Sequence, residues 1–168
     1  SDGGYVVSWS SYGQDGSNTG VYAQRYNTSG ATVGGEVKVN STTPDNQDQQ
    51  VIAALSDGGF VVSWTSRDQD GSNTGIYAQR YDASGAALGA EVRVNSTTLG
   101  SQELPAISAL SEGGYVVSWT SYGQDGSDWG VYAQRYDVNN ATVGGEVRVN
   151  STTLDSQEQS VIAALSDG

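Results

Sequence analysis

Apolar residues fall in short runs separated by polar stretches, and the order of the runs repeats. Residues 51–55, 106–110 and 161–165 are almost wholly apolar and carry small side chains such as Ala53 and Ala54. A turn beginning Ser-Asp/Glu-Gly follows. Residues 5–11, 60–66 and 115–121 alternate, with Tyr5, Val7 and Trp9 set against Val6, Ser8 and Ser10. That is the two-residue period of a strand with unlike faces. A polar loop over residues 12–19 leads to residues 21–26, copied at 76–81 and 131–136. A turn at Thr28-Ser29-Gly30 precedes residues 36–40, copied at 91–95 and 146–150, where Glu36 and Lys38 alternate with Val37 and Val39. A second polar stretch, residues 41–50, returns to the next apolar run. No segment keeps a helical period over ten residues, and β-branched and aromatic residues dominate the runs, so the pattern predicts an all-β chain.

The period is 55 residues, giving units 1–55, 56–110 and 111–165. Units one and three match at 42 of 55 positions, and units one and two at 36 of 55. We expect a single repeat domain over 1–168, with 166–168 opening a fourth unit. Taking the runs as strands A (51–55), B (5–11), C (21–26) and D (36–40), polarity rises from A to D. A propeller blade has this gradient, with its innermost strand at a crowded axis and its outermost at the rim. The expected fold is a β-propeller with three four-stranded blades per chain. The β-trefoil and β-prism are the all-β alternatives, and each closes within one chain.

Three blades are too few for a propeller ring. Residues 161–165 lack a following strand B in their own sequence, and residues 5–11 lack a preceding strand A. Bare edges of this kind are templates for aggregation. The expected solution is a homodimer in which residues 161–165 of each copy pair with residues 5–11 of the other, giving six blades with two-fold symmetry.

The chain has 168 residues with no Cys, His or Met. Thiol nucleophiles, disulfides, Cys/His zinc sites and a Ser-His-Asp triad are excluded. Nineteen acidic against seven basic residues give a net charge of −12. Such a chain repels nucleic acid and anionic membranes and suits cations or neutral glycans. No 18-residue apolar run is present, so no membrane insertion by a helix is expected. The chain opens at Ser1-Asp2-Gly3-Gly4 and ends at Ser166-Asp167-Gly168, within the same turn motif, so it reads as a stretch of a longer array.

The string Ser-Asp-Gly-Gly-Phe-Val-Val-Ser-Trp at 56–64 is distinctive, as are Gln-Asp-Gly-Ser at 69–72, Gly-Ile-Tyr-Ala-Gln-Arg-Tyr-Asp at 75–82 and Glu-Val-Arg-Val-Asn at 91–95. Together they resemble tandem repeats of very large secreted or surface bacterial proteins of the RTX and adhesin type. The resemblance implies an extracellular or cell-surface array module in calcium-rich surroundings, and supplies no catalytic residues. The glycine-rich nonapeptide of the RTX calcium roll is absent.

Asp15, Asp70 and Asp125 each precede Gly-Ser in the B–C loop, and unit two adds Asp68. Acids at alternate positions beside a glycine turn make these four the candidate calcium ligands, calcium being the one candidate cofactor. The competing reading is an Asx turn in which each Asp caps its own loop. Asp2, Asp57, Glu112 and Asp167 sit in the A–B turn, where a hairpin role accounts for them. Trp9, Trp64 and Trp119 read as packing between blades. Trp129 replaces the Thr19 and Thr74 of the other units. With Tyr12 and Tyr122 it forms the candidate glycan-stacking set. Arg25, Arg80 and Arg135, with Glu36, Glu91 and Glu146, suggest a repeated ion pair or backbone clamp. The triplets starting at Asn40, Asn95 and Asn150 match the glycosylation acceptor pattern but read as strand ends.

A carboxylate pair for glycoside hydrolysis would come from Asp48 or Glu103 with a loop Asp. Three nearly equal units argue against one asymmetric catalytic centre. The expected function is therefore a non-enzymatic structural or adhesive module, with a lectin-like multivalent glycan-binding propeller as alternative and a designed consensus array as a third reading. Any ligand is expected at the end where the B–C and D–A loops emerge, because long loops on a rigid scaffold carry function.

Overall fold

The computed structural model describes residues 3–165; Asp2, Asp167 and the opening of a fourth unit at 166–168 lie outside the described residues. Strands form where the alternating runs lie: β1 (Tyr5–Tyr12), β2 (Thr19–Tyr26), β3 (Thr32–Lys38), β4 (Gln47–Ala54), β5 (Phe60–Arg67), β6 (Thr74–Tyr81), β7 (Val92–Arg93), β8 (Gln102–Ala109), β9 (Tyr115–Tyr122), β10 (Trp129–Tyr136) and β11 (Thr142–Arg148). They make three antiparallel sheets: β1-β2-β3, β4-β5-β6-β7 and β8-β9-β10-β11. The A-to-D order of the sequence is the order within each four-stranded sheet. The architecture is all-β and propeller-like.

The sheets stack in a row. β4 packs on β1 and β2, and β8 on β4, β5 and β6. No strands of the first and third sheets pack to a comparable extent, so the sheets do not close on themselves as the single-chain trefoil and prism alternatives require. Successive side chains on β5 point to opposite faces. Val61 joins Val117, Trp119 and Tyr132 in one core, while Phe60, Val62 and Trp64 join Val21, Ala23 and Tyr81 in the other. Trp64 and Trp119 are fully buried. Each contributes about 3 kcal/mol by removal from water. Phe60 stacks on Tyr81 with ring centroids 4.7 Å apart, and Tyr115 on Tyr136 at 4.8 Å.

The innermost strands begin earlier than the apolar runs suggest, at Gln47 and Gln102. Gln47 and Gln102 are wholly buried because each is bonded on all sides. Asn40 Nδ2 donates to Gln47 Oε1 at 3.1 Å, Gln47 Nε2 donates to the Pro44 carbonyl at 2.7 Å, and Val21 N–H donates to Asn40 Oδ1 at 2.8 Å. Asn95 and Gln102 repeat the clip. Asn40 and Asn95 are thus buried clips with no room for a glycan. The outer strands also shift: β3 and β11 start at Thr32 and Thr142, and β7 holds two residues.

Residues 161–165 form no strand, contrary to the sequence pattern. Val161 is 93% exposed, since no neighbouring strand lies beside it to satisfy its backbone. The preceding stretch nevertheless keeps the shape of an innermost strand. Asn150 Nδ2 donates to Gln157 Oε1 at 3.1 Å, Gln157 N–H donates to the Trp129 carbonyl at 2.7 Å, and Ser160 Oγ lies 2.8 Å from Ser118 Oγ.

Candidate functional site

The hairpin ends of β1–β2 and β5–β6 emerge beside the polar stretches that lead into β4 and β8. Thr19 bridges to Asn46 and Thr74 to Ser101 in parallel register. At this end of the second sheet a polar cavity of about 160 Å³ opens. Asn46, just before the innermost strand, and Asp48 and Gln49 within it form one wall, and Thr65, Arg67 and Thr74 another. Glu103, from the innermost strand of the next sheet, closes it. Thr74 Oγ1 donates to Glu103 Oε1 at 3.3 Å. Burial pushes the Asp48 carboxyl above the usual carboxylate range. The cavity is smaller than a drug-sized site and suits a compact polar group such as one sugar ring.

Both carboxylates sit at an irregularity of their strand. Pairing shifts between Asp48 and Val51 and between Glu103 and Ala106. Gln49 and Leu104, one residue on, have φ of 53° and 56°, and Gln159 in the third copy has 58°. A left-handed backbone at a non-glycine residue costs about 1–3 kcal/mol and gathers at functional sites. Bulges of this kind re-aim side chains. Gln49 braces the bulge: its Oε1 accepts from Thr65 Oγ1 at 2.9 Å and from Leu104 N–H at 3.0 Å.

A larger cavity, about 320 Å³, lies between the outer strands of the first and second sheets. Its one charged side chain, Arg25, already donates to the carbonyls of Ala83 and Ser84. It therefore offers no acid–base pair.

The four candidate calcium ligands do not converge. Asp15, Asp70 and Asp125 each accept from the N–H two residues on, at 3.2 to 3.3 Å, as an Asx turn does. Their second oxygens lie against Gly20, Gly75 and Gly130, where a Cβ would come within 2.8 Å, so the loop Asp and the strand glycine are chosen together. Asp68 is exposed and stands 3.7 Å from Arg67. Among the described residues, no three acidic or imidazole groups gather.

Of the aromatic candidates, Tyr122 and Trp129 are brought together, edge to face with centroids 5.2 Å apart. Tyr12 is 80% exposed opposite Thr19 in the first sheet and stands apart from them. The recurring Arg and Glu residues do not pair with each other. Arg80 and Arg135 pair with Asp57 and Glu112 of the A–B turn, while Glu91 and Glu146 accept the backbone N–H of Ser41 and Ser96.

No protein-family model and no curated protein matches this chain. Solved structures with a similar fold include an α-L-arabinofuranosidase from Lactobacillus brevis, at a TM-score of 0.51 and 8% identity, covering 87% of this chain and 52% of that one. An endo-arabinase from Bacteroides thetaiotaomicron VPI-5482 aligns at 0.51 and 16% identity, covering 89% of this chain and 59% of that one. The chain spans just over half the length of either structure. The expectation of a non-enzymatic structural or adhesive module is contradicted here, because both of these solved structures are enzymes. The argument from equal units fails as well. The units differ at the cavity itself, where Asp48, Gln49, Arg67 and Thr74 face Glu103, Leu104, Tyr122 and Trp129 one unit later.

Proposed function

We propose that the chain is part of a carbohydrate-cleaving β-propeller, with Asp48 and Glu103 as its carboxylate pair. The observation that carries this reading is the meeting of these two acids, from successive innermost strands, in one polar cavity. Asp48, whose carboxyl burial raises above the usual carboxylate range, is the proton donor to the glycosidic oxygen as the carbon–oxygen bond breaks. Glu103, the opposing carboxylate, takes a proton from the water whose oxygen bonds to the anomeric carbon as the glycosidic bond breaks. Thr74 orients Glu103. Arabinose-containing polymers are the first substrates to test, given the fold shared with an arabinofuranosidase and an endo-arabinase. An extracellular setting suits a polymeric substrate. Reducing-end release from arabinan, compared across Asp48→Asn and Glu103→Gln, tests the reading. Each variant should lose at least about 100-fold in rate. Wild-type rates in both variants, or no cleavage of any soluble polysaccharide, would overturn it.

The ring around this site is completed by a second copy. Among the described residues, the edge of β1 that corresponds to the β4-paired edge of β5 has no strand paired to it, and Tyr5 and Val7 are 54% and 44% exposed where Phe60 and Val62 are buried. The register of β4 on β5 transfers to Glu158 opposite Ser10 and Val161 opposite Ser8. Residues 161–165 of each copy then pair with residues 5–11 of the other, giving six blades. Light scattering should give about 35 kDa, twice the 17.5 kDa chain. Deleting residues 161–168 should abolish the dimer, and a folded monomer at micromolar concentration excludes the exchange.

A further inference from the structure

The repeat sets the same backbone frame at the end of the third sheet with different side chains on it. Fifty-five positions beyond Asn46, Asp48, Arg67 and Thr74 stand Ser101, Glu103, Tyr122 and Trp129. The backbone frame is shared. Arg67 N–H donates to the Asn46 carbonyl at 2.9 Å, and Tyr122 N–H to the Ser101 carbonyl at 2.8 Å. Asp48 lies opposite Thr65, and Glu103 opposite Thr120. Glu103 closes the cavity of the second sheet and also holds the place of Asp48 in the third.

Tyr122 and Trp129 face each other across the end of the β9–β10 hairpin, at the places where Arg67 and Thr74 line the second-sheet cavity. Their rings meet edge to face at 66°. Tyr122 is 49% exposed and Trp129 is partly exposed, whereas Trp64 and Trp119 are wholly buried in the cores. Packing within the fold does not call for Trp129, since units one and two hold the same backbone with Thr19 and Thr74 in its place. Large aromatic faces with a polar tip, set at a wet rim, match a ligand that is apolar on one face and hydroxylated at its edge. A sugar ring is such a ligand.

We propose that Tyr122 and Trp129 form a stacking platform for the sugar unit next to the one held between Asp48 and Glu103. The substrate is then an oligosaccharide chain running from the second-sheet cleft to the end of the third sheet. The proposal rests on the carbohydrate-cleaving reading, and its test separates the two. Tryptophan emission of the Glu103→Gln protein is titrated with arabino-oligosaccharides of increasing length. A length-dependent shift is expected. Trp129→Thr should remove it and weaken binding of the longer oligosaccharides by about tenfold. Thr is the residue that units one and two carry there, so the variant keeps a backbone the fold already uses. Tyr122→Arg, the residue of unit two, should act in the same direction. In the otherwise unaltered protein, Trp129→Thr should raise KM for long oligosaccharides about tenfold while leaving kcat/KM for a chromogenic single-sugar arabinoside within about twofold. Equal losses on long and short substrates, no change on either, or no oligosaccharide binding would overturn the platform. Length-dependent binding lost in Trp129→Thr, without hydrolysis by the wild-type protein, would uphold the platform and remove the hydrolytic reading.

Discussion

Arg80 in the second sheet donates from Nη1 to the backbone carbonyl of Val138 in the third, 58 positions further along the chain. Its Nη2 meets Asp57 Oδ2 at 2.7 Å, and the side chain is 3% exposed. One buried guanidinium thus fixes the spacing of two sheets. Arg80→Ala strips a partner from both a carbonyl and a carboxylate. We expect a loss of about 2–3 kcal/mol in chemical denaturation. Arg80→Lys should recover little of it, because an ammonium cannot reach both acceptors in the same fork. A loss below about 0.5 kcal/mol would show that the sheets hold their spacing without this clamp.

Asp57 answers to pH through the same contact. Burial alone would raise its carboxyl, but the Gly59 N–H and the Arg80 guanidinium win and hold it below the usual range. A depressed native value stabilises the fold above the unfolded carboxylate range, and the gain is lost as pH falls through the native value. Asp57→Asn should therefore lower Tm at neutral pH, with the gap closing in acid. A gap that stays constant with pH would mean that charge is not the cause.

Asp48 shifts the other way, and for the opposite reason. Its raised native value favours the fold below the unfolded carboxylate range, and this contribution is lost as pH rises through the native value. At pH above that native value the ionised group is a burden. Asp48→Asn should raise Tm at neutral pH, show no gain in acid, and abolish polysaccharide cleavage. Thermal melts at two pH values with a rate assay check all three.

The buried clip at Asn95 is expected to be costly to remove. Asn95 takes the Ile76 N–H at 2.7 Å and gives hydrogens to the Thr97 carbonyl and Gln102 Oε1. Asn95→Ala should cost about 3 kcal/mol, since several buried groups lose their partners. Asn95→Asp should be no better, because it keeps the acceptor but buries a charge. Urea denaturation of the two variants would decide.

Leu104 is held at φ 56° beside Glu103. Leu104→Gly removes the steric penalty of that conformation and should raise stability by up to about 1 kcal/mol. The same change frees the bulge that aims Glu103, so cleavage should fall while Tm rises. A parallel fall in both would assign Leu104 to packing alone.

The strands were legible because their faces differ: Tyr5, Val7 and Trp9 on one side and Ser8 and Ser10 on the other announce a strand. The polar starts of the innermost strands were not. Gln47 and Gln102 look like loop residues until the Asn clip satisfies them, and a left-handed residue at 49 and 104 breaks the alternation that reveals a strand. The outer strands slid because Gly34-Gly35 and Gly144-Gly145, which read as turn residues, lie within β3 and β11. Asp48 and Glu103 were visible as acids, but their meeting depends on one sheet lying on the next, which no local pattern encodes. The signal that was available is the acid that recurs at this place in every unit, as Asp48, Glu103 and Glu158. Trp129, by contrast, stood out as a departure from the repeat, and it does meet Tyr122.

The contacts that join one sheet to the next reach forward by nearly fixed steps: 50 residues from Ser41 to Glu91 and from Ser96 to Glu146, and 58 from Arg25 to Ala83 and from Arg80 to Val138. Each sheet meets its neighbour through the same few groups. Cutting out or duplicating 55 consecutive residues puts the same Ser–Glu and Arg–carbonyl contacts back at the junction. Recombination between copies of the gene segment can therefore lengthen or shorten this protein in whole units, with no seam to repair. The residues at 48, 67, 74 and their copies are left to vary one unit at a time.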